Sequence, residues 1–411
     1  MSSLSSRPGF SLDTPNLDQT PVQLIVNLNV SLIDWDSIVL TTWSLFSSVQ
    51  AACGNMAEHF HINTPLLESA AMSKRVGTTV YLKMENSQPS GSFKIRGIGY
   101  LCQQLKSRSK GFVCSSGCLF FGTLSYYHLN IGTVLYSSWL SCVHDVFIPG
   151  GNAGMAAAYV TRKMGVPATI IIPSSTPHSV VQRLKDQGAH VKIVGKVWDD
   201  ANAEALRLVK TEGLSYVSPF DHPLIWKGHS SLIAEAAASL GPNVKPGAVL
   251  ISVGGGGLLC GVVQGLKDVG WMDVPIVAME TVGADCLNAS VKTGRIVTLD
   301  DITSEAKCLG AKTVCTKAFE YSQSNEITII SEVVTDKQAL HAVETFLDEE
   351  RVLVEMACGA TLAAVYSGVV HRLQAEGRLP ALLDPLLVIV CGGSNIDTEQ
   401  LSILKHKLQT K

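Results

Sequence analysis

From about residue 60 onward, short β-branched runs alternate with amphipathic stretches, and this rhythm confines the chain to few architectures. Strands are expected at Val80–Lys83, Gly111–Cys114, Ala168–Ile172, His190–Val194, Val249–Val253, Ile276–Met279 and Leu386–Val390. Helices are expected at Asn152–Met164, Ser179–Gln187, Asp199–Glu212, His229–Leu240, Leu258–Val269, Lys337–Asp348 and Ala357–Glu376. Apolar strands separated by helical stretches of about 10–15 residues form βαβ units, which build a mostly parallel α/β sheet covered on both faces. The 411 residues suffice for two or three domains.

Charge and cysteine usage narrow the function. A net charge of −3 with 16% charged residues gives no electrostatic footprint for nucleic acid. The 11 cysteines form no Cys-x-x-Cys pair or metal-spaced cluster, which points to reduced thiols in a cytoplasmic protein. Residues 1–55 carry one basic residue, Arg7, and so resemble neither a signal nor a transit peptide. The apolar run Val22–Ile33 is too short to span a bilayer, so no membrane association is expected. Residues 1–58 are read as a disordered extension, with the functional form starting at Met56.

One segment breaks the rhythm. Residues 118–150 hold seven aromatics and a single charged side chain, Asp145. A connection this long and apolar is foreign to a compact domain. Its composition resembles translated non-coding sequence more than a surface loop, and it is expected to be extruded.

Three glycine- and lysine-bearing elements carry chemistry. Ser90-Gly91-Ser92-Phe93-Lys94 follows the strand at Val80 through a turn, and the tetraglycine Gly254–Gly257 follows a buried strand. A lysine able to form a Schiff base, together with a loop whose amides can wrap a phosphate, is the equipment of pyridoxal phosphate. Ser115-Ser116-Gly117 ends another strand and Gly151-Asn152-Ala153-Gly154 opens a helix; joined, they would make an anion-binding turn. Cys391 ends the strand Leu386–Val390, where ligands of open α/β sheets bind. The competing reading is a dinucleotide site, in which Gly255, Gly257 and Gly261 supply the glycine spacing and Glu280 the ribose-binding acid. It leaves Lys94 unexplained.

Together with Asn63-Thr64-Pro65-Leu66, Pro219–Trp226 and Cys391–Asn395, these elements resemble the animal serine dehydratase family, over most of residues 59–405 outside 118–150. The resemblance implies a fold type II pyridoxal-phosphate enzyme of two open parallel-sheet α/β domains. Residues 59–98 and 222–405 would form the large cofactor-binding domain, and 99–221 the small one. It implies deamination of L-serine and L-threonine by β-elimination, in amino-acid metabolism and gluconeogenesis, by a cytoplasmic homodimer. Lys94 would carry the cofactor and act as base, with Phe93 against the ring. Asn152 would bond the ring oxygen, while Gly254, Gly255, Gly256, Gly257 and Leu258 would hold the phosphate. Cys391 would face the ring nitrogen. Ser115, Ser116, Gly151 and Asn152 would hold the substrate carboxylate. A monovalent cation, potassium, would sit on Glu280 and the carbonyls of Gly254, Ala284, Leu309 and Ala311.

Two departures stand out. Met356 replaces the proline usual in Val-Glu-x-Ala-Cys-Gly, and residues 118–150 split the carboxylate turn. A cofactor-binding pseudoenzyme disabled by that split is the alternative reading.

Overall fold

The computed structural model describes residues 59–106, 112–116, 145–149, 151–166, 168–174, 176, 178–195, 198–212 and 214–409. The expectations for residues 1–58 and for Gly117 to His144 lie outside the described residues.

Eleven described strands form two sheets. They are β1 (Leu66–Glu68), β2 (Val80–Met84), β3 (Phe112–Ser116), β4 (Asp145–Pro149), β5 (Ala168–Ile172), β6 (His190–Ile193), β7 (Ser215–Val217), β8 (Ala248–Ser252), β9 (Ile276–Thr281), β10 (Ile329–Val334) and β11 (Leu386–Val390). The helices are α1 (Ala70–Val76), α2 (Lys94–Leu105), α3 (Asn152–Met164), α4 (His178–Asp186), α5 (Trp198–Glu212), α6 (Pro223–Leu240), α7 (Gly257–Asp268), α8 (Cys286–Thr293), α9 (Thr316–Gln323), α10 (Asp336–Glu350), α11 (Met356–Tyr366), α12 (Val369–Ala375) and α13 (Thr398–Gln409).

The larger sheet runs β1-β2-β11-β8-β9-β10, parallel except for β1. Strands β8, β9 and β11 are buried along their whole length, which is why they read as unbroken apolar runs. In β11, Leu386 pairs with Val80 of β2 on one side and Ala248 of β8 on the other. The three carboxyl ends therefore lie side by side, and each leads into one of the sequence motifs.

The smaller sheet runs β6-β5-β4-β3-β7, all parallel. Here the sequence expectation fails. The segment 118–150 is not wholly extruded: its residues Asp145–Pro149 form β4, inserted between β3 and β5. Val146, Phe147 and Ile148 suit a strand, and a parallel strand with neighbours on both sides needs no polar alternation. The short β1 and β7 and the six-residue β10 also escaped the sequence reading. The single helix expected over Ala357–Glu376 is two, separated at Gly368, whose φ of 71° is left-handed and ends the first helical path.

A buried ionic cluster fixes α2 to the sheet. The Arg96 guanidinium donates from Nε to Glu85 Oε2 at 2.7 Å and from Nη2 to Oε1 at 2.8 Å. It donates to Glu235 of α6 at 2.6 Å through both terminal nitrogens. Lys83 Nζ reaches the same Glu235 at 2.6 Å and the Thr64 carbonyl at 2.8 Å. Arg96, Lys83 and Glu85 are wholly buried, and the two cations balance the two carboxylates. His61 beside them is held neutral, its pKa lowered to about 4 chiefly by burial and then by Arg96.

Candidate active site

Lys94 is the first residue of α2, two positions before the anchored Arg96. The turn that delivers it is pinned to the end of β11, because Ser92 bridges to Gly392 and Phe93 N–H donates to the Cys391 carbonyl at 3.4 Å. Lys94 Nζ donates to the Pro219 carbonyl at 2.6 Å. The Pro219 loop is itself held: Trp226 Nε1 donates to the Phe220 carbonyl at 2.8 Å, and Ser218 Oγ accepts from Asp221 N–H at 2.9 Å. The ring of Phe93 meets His229 edge-on with centroids 4.9 Å apart. His229 is wholly buried, and burial, then the Lys94 and Arg96 charges, hold its pKa far below the ordinary imidazole range.

Across the cavity lies the tetraglycine between β8 and α7. At Gly255 a methyl group would stand 2.4 Å from the Phe220 ring, so the close approach of that loop demands glycine. Gly256 caps α7 with φ 92°, a backbone few other residues adopt. The first amides of α7 have no intrahelical acceptor and carry the positive end of its dipole, which suits a phosphate. Cys391 is 5% exposed, with Sγ 3.4 Å from Ser252 Oγ at the end of the adjacent β8. Lys94, Phe93, Asn152, Gly254 to Leu258 and Cys391 all line one cavity.

Asn152 opens α3, whose N-cap is Gly151. Its Oδ1 accepts from Ser394 N–H at 2.9 Å and Ser394 Oγ at 3.0 Å, while Nδ2 faces the Glu355 carboxyl. The structure places Ser115 and Ser116 differently from the sequence expectation. They end β3, opposite Ile148 and Pro149 of β4, and it is β4 that precedes Gly151. The two halves of the split turn thus sit at the carboxyl ends of neighbouring strands.

Glu280 on β9 is fully buried, accepting from the amides of Leu287 at 2.9 Å and Asn288 at 2.7 Å. Burial pushes its pKa up to about 8. Glu280 is not among the residues lining the cavity of Lys94 and the tetraglycine, which counts against the ribose-binding role of the dinucleotide reading. Sequence reasoning missed Glu355 and the Pro219 carbonyl. The carbonyl had no signal, whereas Glu355 stood in the quoted Val-Glu-x-Ala-Cys-Gly as an acid before an apolar helix. Among the described residues no helix is long and apolar enough to cross a membrane.

Comparison with known proteins agrees with this geometry. The profile described as "Pyridoxal-phosphate dependent enzyme" matches residues 57–118 and 148–392, leaving out most of the inserted segment. The human protein named serine dehydratase-like is 53% identical over 360 residues, covering 86% of this chain and 98% of its own. The rat L-serine dehydratase/L-threonine deaminase is 53% identical over 356 residues, covering 85% and 97%. A solved fungal L-serine ammonia-lyase from Rhizomucor miehei superposes with a TM-score of 0.71 at 33% identity, covering 85% of this chain and 99% of the fungal one. The lysine, glycine and cysteine elements meeting at three adjacent strand ends therefore belong to a chain of the serine dehydratase family of pyridoxal-phosphate-dependent enzymes, with the fold type II architecture.

Proposed function

We propose that this chain deaminates L-serine and L-threonine by β-elimination, giving a 2-oxo acid and ammonia. The observation that carries the reading is the meeting of Lys94, the tetraglycine and Cys391 in one cavity, in a chain 53% identical to a named L-serine dehydratase/L-threonine deaminase. The residues present fit pyridoxal phosphate: the cradle at Gly255 and Gly256 leaves no room for side chains, and Lys94 faces it across the cavity. Gly254 to Gly257 and Leu258 would hold the phosphate, Phe93 one ring face, and Asn152 the ring oxygen. When bound, the cofactor supplies an electron sink for the pair left on the substrate Cα.

Lys94 Nζ takes the Cα proton, and the Pro219 carbonyl orients the amine while it is free. Cys391 brings a thiol rather than a carboxylate to the end of β11, which restrains the sink and favours prompt loss of the β-hydroxyl. Ser115, Ser116, Gly151 and Asn152 bind the substrate carboxylate, supported by the positive end of α3. A monovalent cation, potassium, on Glu280 and the Gly254, Ala284, Leu309 and Ala311 carbonyls is part of the proposal. In its support, a methyl on Gly254 would stand 3.1 Å from the Leu309 backbone, so these two carbonyl-bearing segments adjoin. The division into a large cofactor domain (59–98, 222–405) and a small one (99–221), the cytoplasmic homodimer and the role in gluconeogenesis follow from the family resemblance.

The test is keto-acid formation from serine and threonine by the protein loaded with cofactor; its absence in the full chain and in the 118–150 deletion together overturns the proposal. That deletion is expected to be more active by at least about tenfold, equivalent to about 1.4 kcal/mol in the barrier, because it rejoins Ser-Ser-Gly to Gly-Asn-Ala-Gly. A more active full chain would make the insertion a working part of the site. Gly255→Ala is expected to weaken cofactor binding at least about tenfold, since the methyl must displace the Phe220 ring or the loop. Unchanged affinity by absorbance titration would remove the phosphate cradle from that position.

A further inference from the structure

We propose that Glu355 is a positioning residue that aims the Asn152 amide into the cofactor cavity, tying the start of α3 to the turn after β11. The inference rests on the reading that Asn152 bonds the cofactor ring oxygen. Glu355 immediately precedes α11 and is 4% exposed. Its carboxyl oxygens take Asn152 Nδ2 at 3.2 and 3.1 Å, and Oε1 takes the Asn395 N–H at 2.7 Å. The Cys308 thiol also donates to it. All these donors are neutral. Burying a carboxyl on such partners is costly, and burial holds its pKa above the ordinary range. A residue that only filled space here would be better apolar.

The surroundings are shaped to this carboxyl. Gly393 has φ 134°, and a methyl there would stand 2.2 Å from Glu355 Cδ, so the turn after β11 wraps the acid. The same turn sets the far end of Asn152. A backbone N–H can only donate, so Ser394 N–H fixes the Asn152 oxygen end and its hydroxyl reinforces that choice. Glu355 then receives the nitrogen end. The amide nitrogen has two hydrogens; one is engaged by Glu355, which leaves the other for an acceptor in the cavity that both residues line. The clasp thereby selects a donor, never an acceptor, as the group Asn152 offers to a ligand. It also joins a helix that follows the smaller sheet to two elements of the larger one.

Glu355→Gln tests this, because it keeps shape but sets an amide donor against the Asn152 donor. Apoprotein is titrated with pyridoxal phosphate and the affinity read from absorbance, with melting followed by circular dichroism. Glu355→Gln is expected to weaken binding about tenfold, and Asn152→Ala to weaken it as well. In the Asn152→Ala background, Glu355→Gln is expected to add less than about twofold, since the acid acts through the amide. Wild-type affinity in Glu355→Gln, or the same weakening in both backgrounds, overturns the inference while leaving the assignment of Asn152 intact. Wild-type affinity in Asn152→Ala removes that assignment and the inference with it. If Glu355→Gln does not fold, Ser394→Ala carries the test. It deletes one donor to Asn152 but keeps the backbone N–H, and about threefold weaker binding is expected. Unchanged affinity there overturns the clasp.

Discussion

Lys94→Ala should abolish serine deamination, with a fall of at least about 10⁴-fold, while the protein stays folded. The lysine stands at the first position of α2, and its ammonium bonds the Pro219 carbonyl, a contact that water can replace. The anchoring of α2 lies elsewhere, in Arg96. Loss of the side chain therefore removes both the covalent attachment point and the base while leaving the buried cluster in place. The check is keto-acid formation by purified variant, together with the visible absorbance of lysine-bound cofactor. Appreciable turnover, or retention of that absorbance, would refute the role of Lys94.

Arg96→Ala acts on stability instead. Glu85 is wholly buried and accepts two of the guanidinium's hydrogen bonds, and among the described residues only Thr64 Oγ1 and Gln88 Nε2 are further donors. Removing the cation strands that carboxylate in the interior and leaves Lys83 as the charged partner of Glu235. A loss of about 3–5 kcal/mol in unfolding free energy is expected, measured by urea denaturation. A loss under about 1 kcal/mol would show that the cluster contributes little. Replacing the cluster as a whole by apolar residues of like volume should cost far less, since no orphaned charge would remain.

The legible part of the molecule was the part with a local code. Strands β2, β5, β8, β9 and β11 are apolar runs with helices after them, and α3 reads from Asn152 to Met164 in both sequence and structure. The lysine turn and tetraglycine announce themselves because their chemistry needs consecutive residues. Glu355 does not. Its significance comes from Asn152, 203 positions away, and from a glycine whose missing side chain makes room for it. The Pro219 carbonyl carries no signal at all, as any residue supplies one. Strand β4 was hidden for a different reason: its five residues end a segment through which no strand or helix period persists.

Strand β4 also decides what kind of difference the inserted segment makes. It is hydrogen-bonded to β3 on one side and β5 on the other, and neighbouring strands lie about 4.8 Å apart. Without residues 118–150, β3 must itself run into Gly151 and take up the ladder with Ala168–Ile172 that β4 now holds. Deleting the segment therefore exchanges the two ladders of β4 for one direct pairing of β3 with β5. A chain with the segment and a chain without it are thus two separate molecules with one shared set of site residues.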